Sequence, residues 1–146
     1  MTPADRLRED ALACIHAAIA AVEPEGLVRG FLEGHPDLLE VTGEVRLAGI
    51  GKAGGAMARG AAGVLGGRLA GGVLIVPAGQ EGGAPDGIEV FGGGHPVPNE
   101  AGVRGARRIL ALAESLTEDD PLLCVISGGG SAVVGVSSRS NPSAHH

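Results

Sequence analysis

The sequence predicts an α/β fold with a doubly wound, mainly parallel, Rossmann-like sheet preceded by N-terminal helices. Between residues 45 and 126, short and nearly continuous apolar runs alternate with amphipathic helical patterns, as in parallel strands joined by crossover helices. The chain has 27 glycines, and three clusters of them follow apolar runs. Because ligands of doubly wound sheets bind at the carboxyl ends of the strands, we expect the three clusters to meet at a binding site.

Two helices are predicted before the sheet. Proline at position 3 suits a first helical turn, and apolar residues recur at helical spacing to about Ala21. A shorter helix is expected at about 25–32, ended by the Gly-His-Pro sequence at 34–36. The sheet region then predicts strands at 45–50, 72–76, 88–91 and 122–126, with helices at 54–65 and 101–115.

The composition fits one domain and disfavours several classes of partner. The core must be aliphatic, because the 146 residues include only two aromatic side chains, Phe31 and Phe91. A net charge of −6 and the shortage of aromatics disfavour nucleic acid as a partner, and we expect none. Cys14 and Cys124 are predicted to be small core residues, not disulfide partners or metal ligands. No apolar run approaches a membrane span and the N-terminus has no signal-peptide core, so we expect a cytoplasmic protein with no membrane partner.

The first glycine cluster forms a turn between a strand and a helix. Gly49, Gly51 and Gly54 satisfy G-x-G-x-x-G, and Lys52 adds a positive charge inside the turn. Backbone N–H groups and the helix dipole would hold a phosphate or carboxylate there. The alternative is a tight strand-to-helix turn with an incidental lysine.

Two nucleotide-binding patterns are incomplete at this turn. A nicotinamide site also needs an acid at the end of the second strand, but that strand ends at Pro77 and the nearest acid is Glu81. A Walker A loop fails because Arg46 replaces its first glycine and Ala53 replaces its Ser or Thr.

The second cluster leads into a proline-stiffened loop. Gly94 would allow a ligand to approach the backbone, and His95 could donate to a phosphate or transfer a proton. A solvent-exposed histidine without a role is the alternative. Asn99 is expected to cap the next helix in preference to binding a ligand.

The third cluster, Ser127-Gly128-Gly129-Gly130-Ser131, follows the fourth strand. Two hydroxyls and three flexible amides could form a cradle for an oxyanion or phosphate. A nucleophilic Ser131 is disfavoured, because position 133 is Val where a hydrolase elbow has glycine. A merely flexible strand end is the alternative.

Together the three loops resemble the glycerate 2-kinase family, the two-domain type formerly described as hydroxypyruvate reductase. The similar stretches are GIGKAGGAMA at 49–58, GGHPVPNEAG at 93–102 and ISGGGSA at 126–132, within a resemblance that extends over 4–132. The resemblance implies ATP-dependent phosphorylation of the 2-hydroxyl of glycerate with Mg²⁺, in a cleft between two domains.

The resemblance also implies roles for individual residues. Lys52 would be the catalytic group that steadies the transferring phosphate. The residues expected to bind substrate or phosphate are Gly51, Gly54, Gly94, His95, Asn99, Ser127, Gly128, Gly129, Gly130 and Ser131; the metal ligands are unknown.

The chain departs from the family pattern after Ala132. We therefore expect residues 1–132 to be an N-terminal domain, incomplete at its C-terminal end, and 133–146 to be a disordered tail with no helix after the fourth strand. Without the second domain, the fragment is expected to be inactive alone, to expose part of its sheet and to self-associate in a possible homo-oligomer. The alternatives are an NAD(P)H-dependent hydroxypyruvate reductase and a non-catalytic anion-binding module.

Overall fold

Four parallel strands form one sheet at the centre of the computed structural model, which describes residues 2–40 and 43–134. The chain moves outwards from the first strand to the third and then crosses over to place the fourth strand beside the first. This reversal makes the sheet doubly wound and confirms the predicted fold class. In chain order the strands are β1 (Val45–Ile50), β2 (Leu69–Pro77), β3 (Ile88–Gly93) and β4 (Leu122–Ile126), and their order in the sheet is β3-β2-β1-β4.

Helices cover the two faces of the sheet, and the alternation of side chains along β2 separates the two cores. Leu74 and Val76 pack with the second and third helices of the chain, whereas Ile75 between them packs with the fourth and fifth. Short 3-10 turns occupy Pro36–Leu39 and Gly66–Arg68. The five helices are α1 (Pro3–Ala21), α2 (Pro24–Gly34), α3 (Gly54–Leu65), α4 (Glu100–Glu114) and α5 (Gly130–Val134).

The predicted absence of a helix after the fourth strand is wrong. Helix α5 forms because Val133 enters a space that Gly93 and Gly102 leave open, where a side chain on either glycine would collide with it. Val133 is fully buried. The predicted tail therefore begins with two residues of α5, and 135–146 lie outside the described residues.

Helix α1 and strand β4 are each poorly covered. Within residues 43–134, strand β4 is at the edge of the sheet, and Cys124 and Ile126 are exposed on it. Helix α1 has no buried residue, although its apolar residues have helical spacing. The predicted burial of Cys14 and Cys124 is wrong, because both are exposed on these uncovered elements.

Among the described residues, no single helix is long and apolar enough to cross a membrane. The bent pair formed by α1 and α2 meets that criterion only when the two helices are taken together.

Candidate functional site

The three glycine loops meet at the carboxyl edge of the sheet, and the meeting point is Gly129. A Cβ atom added to Gly129 would lie 3.4 Å from Cε of Lys52 and 3.5 Å from Nε2 of His95. Gly129 has φ +85°, a backbone conformation that favours glycine. Because glycine has no side chain, the third loop fits between the side chains of Lys52 and His95 at this residue. Lys52 and His95 are both exposed. The structure therefore brings together two groups that could bind an anion, from loops far apart in sequence.

The first loop does not offer its backbone amides to a ligand as predicted. The N–H of Gly51 donates to the Ile75 carbonyl at 2.9 Å, and the N–H of Lys52 donates to the Gly128 carbonyl at 3.1 Å. The next two N–H groups, of residues 53 and 54, are also bonded within the protein. The Lys52 ammonium and the first turn of α3, which has no side-chain cap, remain as the anion-attracting groups of this loop.

Ser127 connects the first loop to the third. Its Oγ accepts a hydrogen bond of 3.0 Å from the N–H of Ala53, and its own N–H donates to the Ile50 carbonyl at 3.0 Å. Gly51 lies against it with φ +109°, and a Cβ there would collide with the Ser127 carbonyl. Ser127 therefore has a structural role that the sequence did not reveal, and its predicted contact with a ligand stays a prediction.

In the second loop, Asn99 caps α4 as expected. Its Oδ1 accepts from the N–H of Gly102 at 2.9 Å, and its Nδ2 donates to the Gly92 carbonyl at 3.0 Å. Gly94 allows a tight return of the chain, because a Cβ there would collide with the Val97 carbonyl. These contacts hold the loop in place and leave the His95 ring in solvent beside Gly129.

The third loop contains the backbone donors best placed for an anion. In the described part of the chain, the N–H groups of Gly128 and Gly129 have no hydrogen-bond partner. Gly128 has open space around its Cα, whereas Gly130 is buried against Ile50. Ser131 is exposed in the first turn of α5. Gly128 and Gly129 are thus accessible, and Gly130 supports the packing.

A fourth loop, not predicted from the sequence, borders the first turn of α3. The carbonyls of Gly82 and Gly83 lie 3.9 Å from a Cβ position on Gly55. Arg59 fixes this loop by donating to the Gly83 carbonyl at 2.6 Å and to a Glu25 carboxylate oxygen at 2.8 Å. The glycines at 79, 82 and 83, just after β2, were the sequence feature that could have indicated it.

The described residues leave the ligands of Mg²⁺ unassigned. They contain no group of three or more His, Cys, Asp or Glu side chains arranged to hold a metal ion. The exposed cation and free amides near Gly129 suit the phosphates of ATP, whose oxygens, together with one or two carboxylates, are usual ligands of Mg²⁺. We therefore assign no metal ligand in this part of the chain.

The nearest acidic run along the chain lies before β4, at residues 118–120. Asp120 accepts hydrogen bonds of 2.8 Å from the N–H and the hydroxyl of Thr117, and these bonds lower the pKa of its carboxyl below the ordinary value. This loop therefore stays negatively charged at neutral pH.

A concave apolar surface lies elsewhere. An apolar groove of about 710 Å³ lies between α2 and β4, bordered by side chains such as Phe31 and Ile126. The corner around Gly129 is by contrast open to solvent on the side of Lys52 and His95. An anion could bind at this corner, but the described residues enclose it on one side only.

Comparison with known proteins agrees with the geometry. A family model described as a domain of unknown function, DUF4147, matches residues 10–140. A D-glycerate 2-kinase from Thermotoga maritima is 36% identical over 88% of this chain, and a relative from Agrobacterium vitis with the provisional name hydroxypyruvate reductase is 32% identical over 81%. The crystal structure of a glycerate kinase from Thermotoga maritima superimposes with a TM-score of 0.76 at 33% identity over 88% of this chain. The chain spans about 30% of the length of the Thermotoga relative and of the chain in that crystal structure, and 26% of the Agrobacterium relative.

Proposed function

The chain belongs to the DUF4147 family, and from this membership we propose that it forms the phosphate-binding N-terminal part of an ATP-dependent glycerate 2-kinase. The observation that supports the proposal is the position of Lys52 and His95 on either side of Gly129. Transfer of a phosphoryl group depends mainly on positioning and on positive charge where negative charge develops. Lys52 has the charge and the exposure that this role requires.

Each loop then has a defined task. The Lys52 ammonium neutralises charge on the phosphoryl group, and the free N–H groups of Gly128 and Gly129 orient its oxygens. His95 donates a hydrogen bond to the same anion or to the carboxylate of glycerate. Asn99 and Ser127 act through the backbone, because their hydrogen bonds fix the loops that present these groups.

The chain alone is proposed to bind anions without turning over. It offers one wall of a cleft, and it spans 30% of its kinase relative. The partners of the longer protein would be ATP and glycerate, with a second domain closing the cleft. We place the protein in the cytoplasm, which a fluorescent fusion in the source cell would test.

The test is ATP binding by isothermal titration calorimetry, without added metal. We expect Lys52→Ala to weaken binding by about tenfold or more, since a charge-assisted hydrogen bond to phosphate is lost. Arg107→Ala is the matched control: it removes one exposed positive charge from α4, about two turns from Asn99, and should change affinity less than about twofold. Equal effects of the two substitutions would contradict a specific role for Lys52.

Catalysis is tested separately by coupled detection of ADP release with glycerate present. The chain alone is expected to show no turnover above background. Turnover at the rate of a complete kinase would contradict its assignment as one wall of the site, even if the Lys52 result stands.

The reductase alternative makes a different prediction. The described loop leaves no N–H of residues 51–54 free for a dinucleotide pyrophosphate, and β2 ends at Pro77 without an acid for the ribose. We therefore expect no oxidation of NADH or NADPH with hydroxypyruvate, as followed by absorbance. Glycerate binding distinguishes the kinase part from a non-catalytic anion-binding module. Such a module would not bind glycerate once its site is saturated with nucleotide.

A further inference from the structure

Arg59 joins three parts of the molecule that are separate in sequence. Its Nη1 donates to the Gly83 carbonyl of the fourth loop at 2.6 Å, and its Nε donates to Glu25 of α2 at 2.8 Å, while its own backbone belongs to α3. The planar guanidinium presents its donors in a fixed fork, so one side chain holds the loop against both helices. We propose that Arg59 is a positioning residue, which places the backbone of the fourth loop, residues 78–84, to contact the ribose of ATP; this inference rests on the proposed kinase function.

Two further contacts anchor the fourth loop at the end of β3. The N–H of Ala78 donates to the Gly93 carbonyl at 2.9 Å. The Glu81 carboxylate lies against Gly92, where a Cβ atom would collide with it. Because this contact directs Glu81 towards β3, we assign the ribose to the backbone of the loop and not to this acid. Arg59 supplies the anchor that connects the loop to α3.

The anchored loop borders the start of α3, close to Lys52 along the chain. The carbonyls of Gly82 and Gly83 lie 3.9 Å from a Cβ position on Gly55, which follows Lys52 by three residues. Gly82 is exposed, and a Cβ atom on it would meet nothing within 4 Å. Its carbonyl accepts no hydrogen bond from the described part of the chain. This carbonyl is therefore free to accept a hydrogen bond from a ligand hydroxyl.

A ribose fits the position and the chemistry of this loop. In doubly wound sheets, phosphates bind at the start of the helix after the first strand, and the ribose lies towards the end of the second strand. The loop of Lys52 follows β1, and the fourth loop follows β2. A nucleotide whose phosphates contact Lys52 thus directs its ribose hydroxyls towards the Gly82 carbonyl. A neutral carbonyl accepts these hydroxyls without the charge of an acid, which would repel the phosphates nearby.

Titration of ATP and of 2′,3′-dideoxy-ATP into the full chain, by calorimetry without added metal, tests the ribose contact. We expect the wild-type chain to bind the dideoxy nucleotide about three- to tenfold more weakly, because the hydroxyls that donate to the loop are missing. Arg59→Gln releases the loop, so it should weaken ATP binding by a similar factor and abolish the difference between the two nucleotides. Equal binding of both nucleotides by the wild type, or an undiminished difference in Arg59→Gln, would overturn the proposal.

Arg29→Gln is the matched control. Arg29 pairs with the same Glu25 carboxylate at 3.1 Å but, within the described residues, makes no hydrogen bond to the fourth loop. This variant should keep the difference between the two nucleotides, and the same behaviour in Arg29→Gln and Arg59→Gln would overturn the proposal.

Inorganic tripolyphosphate separates the ribose contact from the phosphate site. It has no ribose, so Arg59→Gln should bind it within about twofold of the wild type, which also shows that the variant is folded. A large loss of tripolyphosphate binding in Arg59→Gln would place Arg59 at the phosphates and overturn its assignment to the ribose. Lys52→Ala should instead weaken ATP and tripolyphosphate alike, so failure of the proposed phosphate site and failure of the ribose contact give different patterns.

Discussion

The inner strands β1 and β2 and two outer elements, α1 and β4, which together are called the outer region, have similar apolar sequences but different environments. Leu47, Leu74 and Ile75 are completely buried between two helical layers. Leu7, Ile15 and Ile19 of α1 are 54–70% exposed, and Ile126 of β4 is 68% exposed.

The difference separates two uses of apolar residues. In the inner strands they supply stability to the chain as described, whereas in the outer region they form a surface that gains free energy only when something covers it. The candidate site lies on the border between the two, because the loop after β1 belongs to the inner region and the loop after β4 to the outer one.

Truncation of one side chain in each region tests this contrast most strongly. Leu74→Ala should lower the free energy of unfolding by about 2–5 kcal/mol, because it leaves a cavity in the fully buried core. Ile19→Ala removes a similar side chain from exposed α1 and should change stability by less than about 0.5 kcal/mol. Urea denaturation followed by circular dichroism measures both. A large cost for Ile19→Ala would show that α1 is packed in solution.

A pair of glycine substitutions tests the border between the two regions. Gly51→Ala should cost about 1–3 kcal/mol or more, since φ is +109° and the added methyl would collide with the Ser127 carbonyl. Gly128→Ala is the control in the facing loop, where the added atom meets nothing within 4 Å, and it should change stability by at most about 1 kcal/mol. Thermal unfolding of the two variants measures this difference, and equal costs would contradict the described junction of the loops.

The smallest expected effect concerns the start of α2. The N–H groups of Gly26 and Glu25 donate to the Glu23 carboxylate and lower its pKa below the ordinary value. A carboxyl with a lowered folded-state pKa stabilises the fold above its unfolded-state pKa, and that contribution disappears as the pH falls through the folded-state value. Glu23→Gln should remove this part of the acid sensitivity of the helix.

An NMR titration of the Glu23 side-chain carbon measures the pKa directly. A value at or above the ordinary one for glutamate would contradict the capping geometry. Circular dichroism of wild type and Glu23→Gln across the acid range then shows whether the helix follows that titration.

The sequence predicted the regular elements well where local periodicity determines them. The bounds of β1, α3 and β4 agree with prediction, and the order of elements sufficed to bring the three glycine loops to one edge. The burial of Val133 depends on space left by two distant glycines, and the exposure of Cys124 depends on β4 being at the edge. Neither fact can be predicted from the local sequence pattern.

The candidate site shows the same division. The meeting of Lys52 and His95 follows from the position of their loops after parallel strands, and it was predicted in outline. The internal bonding of the amides at 51–54 could not be predicted, because their acceptors belong to other strands and loops. A glycine-rich turn in a sequence therefore indicates that some other group comes close to its backbone. Only the structure shows whether that group is a ligand or a neighbouring loop.

The hydrogen bond from Ala53 to Ser127 has a consequence for the order of folding. It joins residues 74 positions apart, and β1 cannot acquire its second neighbour until β4 has been synthesised. Closing so long a segment of chain is entropically costly, and contacts of high sequence separation form slowly. We therefore expect the strands β1 to β3 to assemble first and the anion-binding corner to be the last part of the molecule to form. Hydrogen exchange pulse labelling during refolding would show late protection of the Ala53 amide.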